Sequence, residues 1–309
     1  MTAGAGPDEG GSSEATPAFR SGFVAVVGRP NVGKSTLVNA LIGQKVAIVS
    51  DKPQTTRHGI RGVLTTEGFQ LVLTDTPGFH KPRTQLGQRL NRTVAASVEG
   101  VDVVLLVVDA ASGVGRGDRF VFERQVGPFQ GPKLCAVNKV DALGHHDVVP
   151  QLAAAAGLGE FDEIVPVSAR TGRGVAELRD LLVARLLKGE PHFPPDAATD
   201  QPVELRIAEI VREKALELTR EEVPHSIAVQ VEDVSRDGDL ARIDALVLVE
   251  RQSQKGIVIG RGGQMLKAIG SKARPELELL LGTKVFLGLR VKVLKEWQRD
   301  PSALDRLGF

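Results

Sequence analysis

One cysteine, Cys135, stands alone among 309 residues. No intrachain disulfide can form, which fits a reducing cytosol. No apolar run approaches the ~20 residues of a membrane span; the longest, residues 103–108, has the length of a strand. The N-terminus lacks the basic-then-apolar order of a secretion signal. Residues 1–17 are rich in Gly, Ala, Ser and Pro, which predicts a disordered tail over 1–20. No internal repeat is visible, and the net charge is only +1. That near-neutrality hides a local excess. Between Arg251 and Arg299 eleven Lys and Arg stand against three acids, a local net of +8. A polyanion partner is one reading of this stretch and a solvated face is the other.

The composition, 42% hydrophobic and 25% charged, suits a soluble chain of about two domains. From Gly22 onward, short β-branched runs alternate with amphipathic stretches. Residues 23–27, 69–74, 103–108, 133–137 and 164–167 read as buried strands. Residues 37–41, 86–98, 119–126, 149–156 and 175–187 read as helices. This alternation predicts an α/β domain over 21–190, built on a mostly parallel sheet with flanking helices. Pro191, Pro194, Pro195 and Pro202 mark a linker over 191–202. A different order follows over 203–298: a helix at 203–219, strands at 226–234 and 242–249, short helices at 264–269 and 274–281, and a strand at 284–293. That is a small α+β domain, with a tail at 299–309.

GRPNVGKS (residues 28–35) fits GxxxxGK[ST] and lies between a predicted strand and a predicted helix, the context this phosphate-binding loop requires. Gly28, Asn31, Val32, Gly33, Lys34, Ser35 and Thr36 would line the phosphates with backbone amides and a helix N-terminus. Lys34 supplies a point charge to the β- and γ-phosphates, and Ser35 a hydroxyl to Mg²⁺. Asp75-Thr76-Pro77-Gly78 ends the next apolar strand; Asp75 would hold the metal and the Gly78 amide would sense the γ-phosphate. Between them lies Gln54-Thr55-Thr56-Arg57, where Thr56 is the favoured metal ligand of an order–disorder switch. Asn138-Lys139-Val140-Asp141 fits NKxD. The Asp141 carboxylate can accept from guanine N1–H and the 2-amino group, and adenine offers neither donor. Asn138 would tie the base loop to the phosphate loop, and Lys139 would lie over the base. Ser168-Ala169-Arg170 would offer a backbone N–H to guanine O6. The motifs together predict a GTP/GDP site at the strand ends.

In the C-terminal part, Gly260-Arg261-Gly262-Gly263 fits GxxG, between an apolar turn at 257–259 and a helix from Gln264. Such a loop can pass close to a nucleic-acid backbone beside an apolar groove. Lys255, Arg261 and Lys267 would make binding salt-dependent. Ile259 stands beside the loop, although Ile257, Ile259 and Ile269 read first as core. Trp297 reads as packing.

These residues resemble the bacterial Era GTPases over about 22–309. The matches are GRPNVGKS (28–35), QTTRH (54–58), DTPGFH (75–80), NKVD (138–141), LVERQSQKGIVIGRGG (248–263) and LGLRVKVLKEW (287–297). The resemblance implies a P-loop GTPase domain followed by a type II KH domain. It also implies binding near the 3′ end of 16S ribosomal RNA, a role in maturation of the small (30S) subunit, a monomer, and a cytoplasmic place with peripheral contact to the inner membrane. Phe79 stands where many GTPases carry a water-orienting Gln. This is similar to hydrophobic-substituted GTPases, and it implies slow hydrolysis in which Lys34, Thr56, Gly78 and Asn31 act, Asn31 holding K⁺. Two other classes stay open: a GTPase assisting tRNA modification, and a membrane-surface regulator of the cell cycle.

Overall fold

The structure is a computed structural model that describes residues 18–309 apart from Pro53, His80, Lys81, Arg83 and the side chain of His145. Most of the expected N-terminal tail, residues 1–17, lies outside the described residues.

The N-terminal sheet is built from β1 (Arg20–Val27), β2 (Ile60–Thr65), β3 (Phe69–Asp75), β4 (Val103–Asp109), β5 (Lys133–Asn138) and β6 (Glu163–Pro166), in the order β2-β3-β1-β4-β5-β6. All neighbours are parallel except β2, which runs antiparallel to β3 at the edge. The short β7 (Leu187–Lys188) pairs antiparallel with the start of β1. The central strand shows why its sequence runs apolar without alternation. Val103, Leu105 and Val107 face one core, and Val104, Leu106 and Val108 face the other, so both faces are buried. The helices α1 (Lys34–Ile42), α2 (Gln85–Val98), α3 (Arg116–Val121), α4 (Val148–Ala156) and α5 (Val175–Ala184) cover them.

The C-terminal sheet has the order β10-β9-β8, from β8 (Ala228–Asp237), β9 (Leu240–Val249) and β10 (Lys284–Val293). β8 and β9 form a hairpin, whereas β10 joins β9 in parallel, which requires a crossover. That crossover is α8 (Gln252–Ile259) and α9 (Gln264–Leu281). α6 (Val203–Leu218), α8 and α9 bury one face of the sheet through Ile207, Val211, Val258, Ile269, Ala273 and Leu277. The short α7 (Val223–Ser226) leads into β8, and α10 (Pro301–Arg306) follows β10. Among the described residues no helix is long and apolar enough to cross a membrane.

Several expectations fall. β2 has no counterpart in the sequence reading, because Arg61 and Gly62 interrupt its apolar run; Gly62 is needed where Ile42 and Val46 press against the strand. The two short helices expected at 264–269 and 274–281 are one helix, α9, with Pro275 inside it. The apolar turn expected at 257–259 is the last turn of α8, and Ile257 there is half exposed, not core. The helix expected over 175–187 stops at Ala184, and Leu187 turns into β7. Residues 191–202 are strapped to the first domain. Gln70 accepts from the His192 and Phe193 amides, and Val63 N donates to Ala198 O at 2.9 Å. The 299–309 tail folds as α10, with Asp300 accepting from Ser302 N and Pro301 opening the helix. Trp297 is fully buried beside Leu86 and Leu90 of α2 and Ala303 and Leu304 of α10, in a core shared by both domains.

Candidate functional site: a phosphate cradle and a basic groove

The loop between β1 and α1 puts the motif residues at the C-terminal edge of the sheet, where ligands of such sheets lie. Lys34 is buried, and its ammonium donates to Gly28 O at 3.3 Å and Arg29 O at 3.0 Å. Burial lowers its pKa to about 8, with Asp75 pulling the other way. Ser35 Oγ donates to Asp75 Oδ2 at 2.6 Å, Thr56 Oγ1 donates to the same oxygen at 3.1 Å, and the two hydroxyls lie 2.9 Å apart. Asp75 Oδ1 is buried with no hydrogen-bond partner among the described residues. Burial pushes the Asp75 carboxyl up from its ordinary value, while Lys34, Ser35 and Thr56 oppose the shift. Three side chains bring hard oxygens here, and one oxygen of the Asp75 carboxylate has no hydrogen-bond partner among the described residues; this donor set fits a small divalent cation that takes oxygen ligands. The neighbouring hydroxyl, Thr55 Oγ1, turns away and donates to Lys52 O at 2.6 Å.

Gly78 comes so close to the phosphate loop that a Cβ would stand 2.7 Å from the Pro30 backbone. Phe79 donates its amide to Gly28 O at 3.3 Å, and its ring stacks on Phe120 with centroids 5.5 Å apart. Asn31 reaches across the site, its Nδ2 donating to Asp51 O at 2.9 Å. The loop is thus closed over the cradle from both sides.

On the base side, Asn138 Nδ2 donates to Val32 O at 2.9 Å, which is the expected tie between the two loops. Ala169 N donates to Asn138 Oδ1 at 3.0 Å, so this amide is already engaged. Asp141 accepts from Ser168 Oγ at 2.6 Å and from Arg170 Nη2. The Ser168 hydroxyl and the Arg170 guanidinium hold its carboxyl below the usual range. Lys139 bridges Asp109 Oδ2 and Asn31 O, each at 2.7 Å. Asp109 and Arg29 are functional neighbours that the sequence reading missed. Arg29 pairs with the buried Asp118 of α3 at 2.7 Å, pinning the phosphate loop to that helix. Asp109 ends β4 as Asp75 ends β3, and that shared strand-end position was the available signal.

In the second domain, Gly260, Arg261, Gly262 and Gly263 form the loop that enters α9. Gly262 and Gly263 have φ of 56° and 81° with open space around them, a left-handed backbone that favours glycine. A groove beside the loop is lined by Gly263, Leu266, Lys267, Gly270, Arg274 and Leu289, among others. Lys267 and Arg261 are exposed; Lys255 and Ile259 lie on the preceding helix, both half-buried. Leu266, Gly270, Arg274 and Leu289 were missed. Leu266, Gly270 and Arg274 follow each other at four-residue steps, a stripe visible only once α9 is continuous.

Comparison with known proteins agrees with this division. Residues 23–139 match the family model described as 50S ribosome-binding GTPase, and residues 222–298 match the KH domain model. The chain is 52% identical to GTPase Era of Mycobacterium tuberculosis over 297 residues, which is 94% of this chain and 99% of that one. It is 51% identical to GTPase Era of Mycolicibacterium smegmatis over 298 residues, with the same coverage. Among solved structures, it superposes with a TM-score of 0.91 at 41% identity on Era in complex with MgGDPNP and nucleotides 1506–1542 of 16S ribosomal RNA, covering 94% of this chain and 99% of that one. An Aquifex aeolicus Era variant bound to GDP and aluminium fluoride gives the same score, identity and coverage. With a P-loop GTPase domain and a KH domain in one order and at this identity, the chain belongs to the Era family of GTPases.

Proposed function

We propose that this GTPase is a nucleotide-controlled switch whose KH groove binds the 3′ region of 16S ribosomal RNA and assists assembly of the small ribosomal subunit. The observation that carries this reading is the 0.91 superposition on an Era structure that holds both MgGDPNP and 16S nucleotides 1506–1542.

Hydrolysis here needs positioning and charge neutralisation more than covalent chemistry. Lys34 and the loop amides Asn31 to Thr36 stabilise the phosphate charge. Ser35, Thr56 and Asp75 are the oxygen donors that would hold Mg²⁺, and the ion when bound would supply positive charge against the charge developing on the phosphate. Gly78 would present its amide to the γ-phosphate from its close approach to Pro30. Asp141 selects guanine once Arg170 yields its carboxylate to the base, with Asn138, Lys139, Ser168 and Ala169 holding that loop in shape. Phe79 is packed on Phe120 and orients no water. Asn31, whose amide donates to Asp51 O of the loop before Thr56, would hold a K⁺ together with carbonyls of that loop, and this contact between the two loops supports the reading. GTP turnover should therefore be faster in potassium than in sodium buffer, and an Asn31→Ala variant should lose the difference; equal parental rates in the two salts remove K⁺ from the scheme.

On the RNA side, Gly260, Arg261, Gly262 and Gly263 meet the nucleic-acid backbone, Ile259 and Leu289 offer apolar surface, and Lys255, Lys267 and Arg274 supply charge. The direct test is titration of a 16S 3′-end oligonucleotide with the GDPNP-loaded chain and with Gly262→Asp/Gly263→Asp. Binding lost in the variant, at unchanged GDPNP affinity, supports the reading. Equal binding by both proteins refutes the groove, and preferential capture by anionic vesicles would favour a membrane-surface regulator.

A further inference from the structure

The switch loop that carries Thr56 is held from outside its own domain. Arg212 belongs to α6 of the C-terminal domain and is 2% exposed. Its Nε and Nη2 grip both oxygens of Glu209, at 2.7 and 2.6 Å, and Nη2 also donates to the carbonyl of Thr55. On the other side of Thr56, Arg57 enters the C-terminal domain. Its Nη1 donates to Ile227 O at 2.6 Å, its Nη2 to His225 O at 3.1 Å, and its guanidinium lies 5.3 Å above the Trp297 ring. At the start of the same loop, Glu213 accepts from Val49 N at 2.8 Å and pairs with Lys45. Thr56 is therefore suspended between two arginine contacts that cross the domain boundary.

This arrangement is costly, which argues against simple glue. Two guanidinium groups are buried close enough to repel each other, with Glu209 gripped by Arg212 and with Glu209 and Glu250 both near Arg57. Arg57 Nε and Arg212 Nη1 are buried with no hydrogen-bond partner among the described residues. Apolar residues of similar volume commonly serve cohesion as well as a buried ion pair does. What the arginine fork adds is direction: a planar donor fixed on Glu209 presents one N–H at a set angle to one carbonyl.

We infer that Arg212 is a positioning residue for GTP hydrolysis supplied by the C-terminal domain: by holding the Thr55 carbonyl it keeps the Thr56 hydroxyl turned toward Ser35 and Asp75. The inference rests on the reading of Thr56 as a ligand of the Mg²⁺–nucleotide site. It makes turnover depend on how the KH domain is docked, and it makes the docking depend on the nucleotide.

The test compares the full-length parent with Arg212→Met/Glu209→Gln, which removes both buried charges together, with Arg212→Lys, and with Thr56→Ala. Three quantities are read: kcat and KM for GTP, GDP affinity, and hydrogen exchange at amides 54–58 with GDPNP·Mg²⁺ and with GDP·Mg²⁺. In the double variant kcat should fall about tenfold or more, as expected for a displaced reacting geometry, with KM and GDP affinity nearly unchanged. The GDPNP-dependent protection of residues 55–58 should be lost, and Arg212→Lys should restore part of both. Parental kcat and parental protection in a variant that still binds GDP overturn the inference. Should the double variant fail to bind GDP, Arg212→Lys decides alone: intermediate values support the inference and parental values overturn it. Thr56→Ala separates the two layers. Protection that survives Thr56→Ala refutes the Thr56 reading and the inference with it. Protection lost in Thr56→Ala but kept in both Arg212 variants refutes the inference alone.

Discussion

Gly78 leaves no room for a side chain against the phosphate loop. Its Cα packs so tightly on Pro30 that a methyl group would meet backbone at 2.7 Å, and backbone cannot swing aside as a side chain can. Gly78→Ala should therefore push the loop after β3 off the phosphate cradle. Single-turnover hydrolysis should slow by about a hundredfold, while GDP affinity, which makes no use of that amide, stays near the parental value. Asp141 acts by chemistry instead of space. Its two oxygens are already presented as acceptors to Ser168 and Arg170, the role they would play toward N1–H and the 2-amino group of guanine. Asp141→Asn puts an N–H donor against those donors. GTP affinity should drop about a hundredfold or more, and xanthosine triphosphate, with an acceptor at position 2, should gain. Unchanged GTP affinity in competition binding would contradict the assignment. At this scale the sequence was highly legible. Lys34, Ser35, Asp75 and Asn138 each sit in a contiguous motif, and the structure brings Ser35 and Thr56 onto Asp75 and ties Asn138 to Val32. Arg57, Arg212 and Phe309 were not legible, because their function is a contact. The Thr55 carbonyl and Arg212 are 157 positions apart, and no local pattern announces such a meeting.

Elements were legible where packing is two-sided and hidden where it is not. β4 declares itself because both faces are buried, and α6 because its apolar spacing is regular. β2 is an edge strand broken by Gly62. α9 carries Gly270 and Pro275, both helix-breaking by propensity, yet tertiary packing on Leu287 and Leu289 holds it continuous. α10 is the element with the most to test. Beyond it, the Phe309 ring stacks on His58 with centroids 4.7 Å apart and on Trp297 at 5.9 Å. Arg89 of α2 donates to Asp305 and to Phe309 O at 2.6 and 2.7 Å. Phe309→Ala should cost about 1–3 kcal/mol in urea unfolding, and an unchanged midpoint would show that the stack is idle. His58 gives this clasp a pH dependence. Burial lowers its pKa from 6.5, aided by Arg212 and Arg57 and opposed by Glu209 and a Gly308 backbone contact. A lowered folded-state pKa means that the unfolded chain binds more protons just below 6.5, so stability is lost as pH falls through that value. Melting temperature should drop between pH 7 and 5.5, and His58→Phe should flatten the slope.

The whole molecule is two domains that share a core and a switch. Leu86, Leu90, Trp297 and Leu304 pack across the boundary, and Arg57, Arg212 and Glu213 tie the loop around Thr56 to the KH side. If the two sites are coupled through these contacts, as proposed above, the coupling is reciprocal. A ligand that orders Thr56 would then bias the KH domain, and RNA in the KH groove would bias the nucleotide by the same factor. The measurement that decides this is the complete binding cycle: affinity of a 16S 3′-end oligonucleotide for the GDPNP and GDP forms, and of GDPNP and GDP for the chain with and without that oligonucleotide. The expected result is RNA binding about fivefold or more tighter in the GDPNP form, mirrored by an equal gain in GDPNP over GDP affinity when RNA is present. Identical RNA affinity in both nucleotide states, with both sites shown to be filled, would contradict a nucleotide-controlled switch and leave two independent binding domains on one chain.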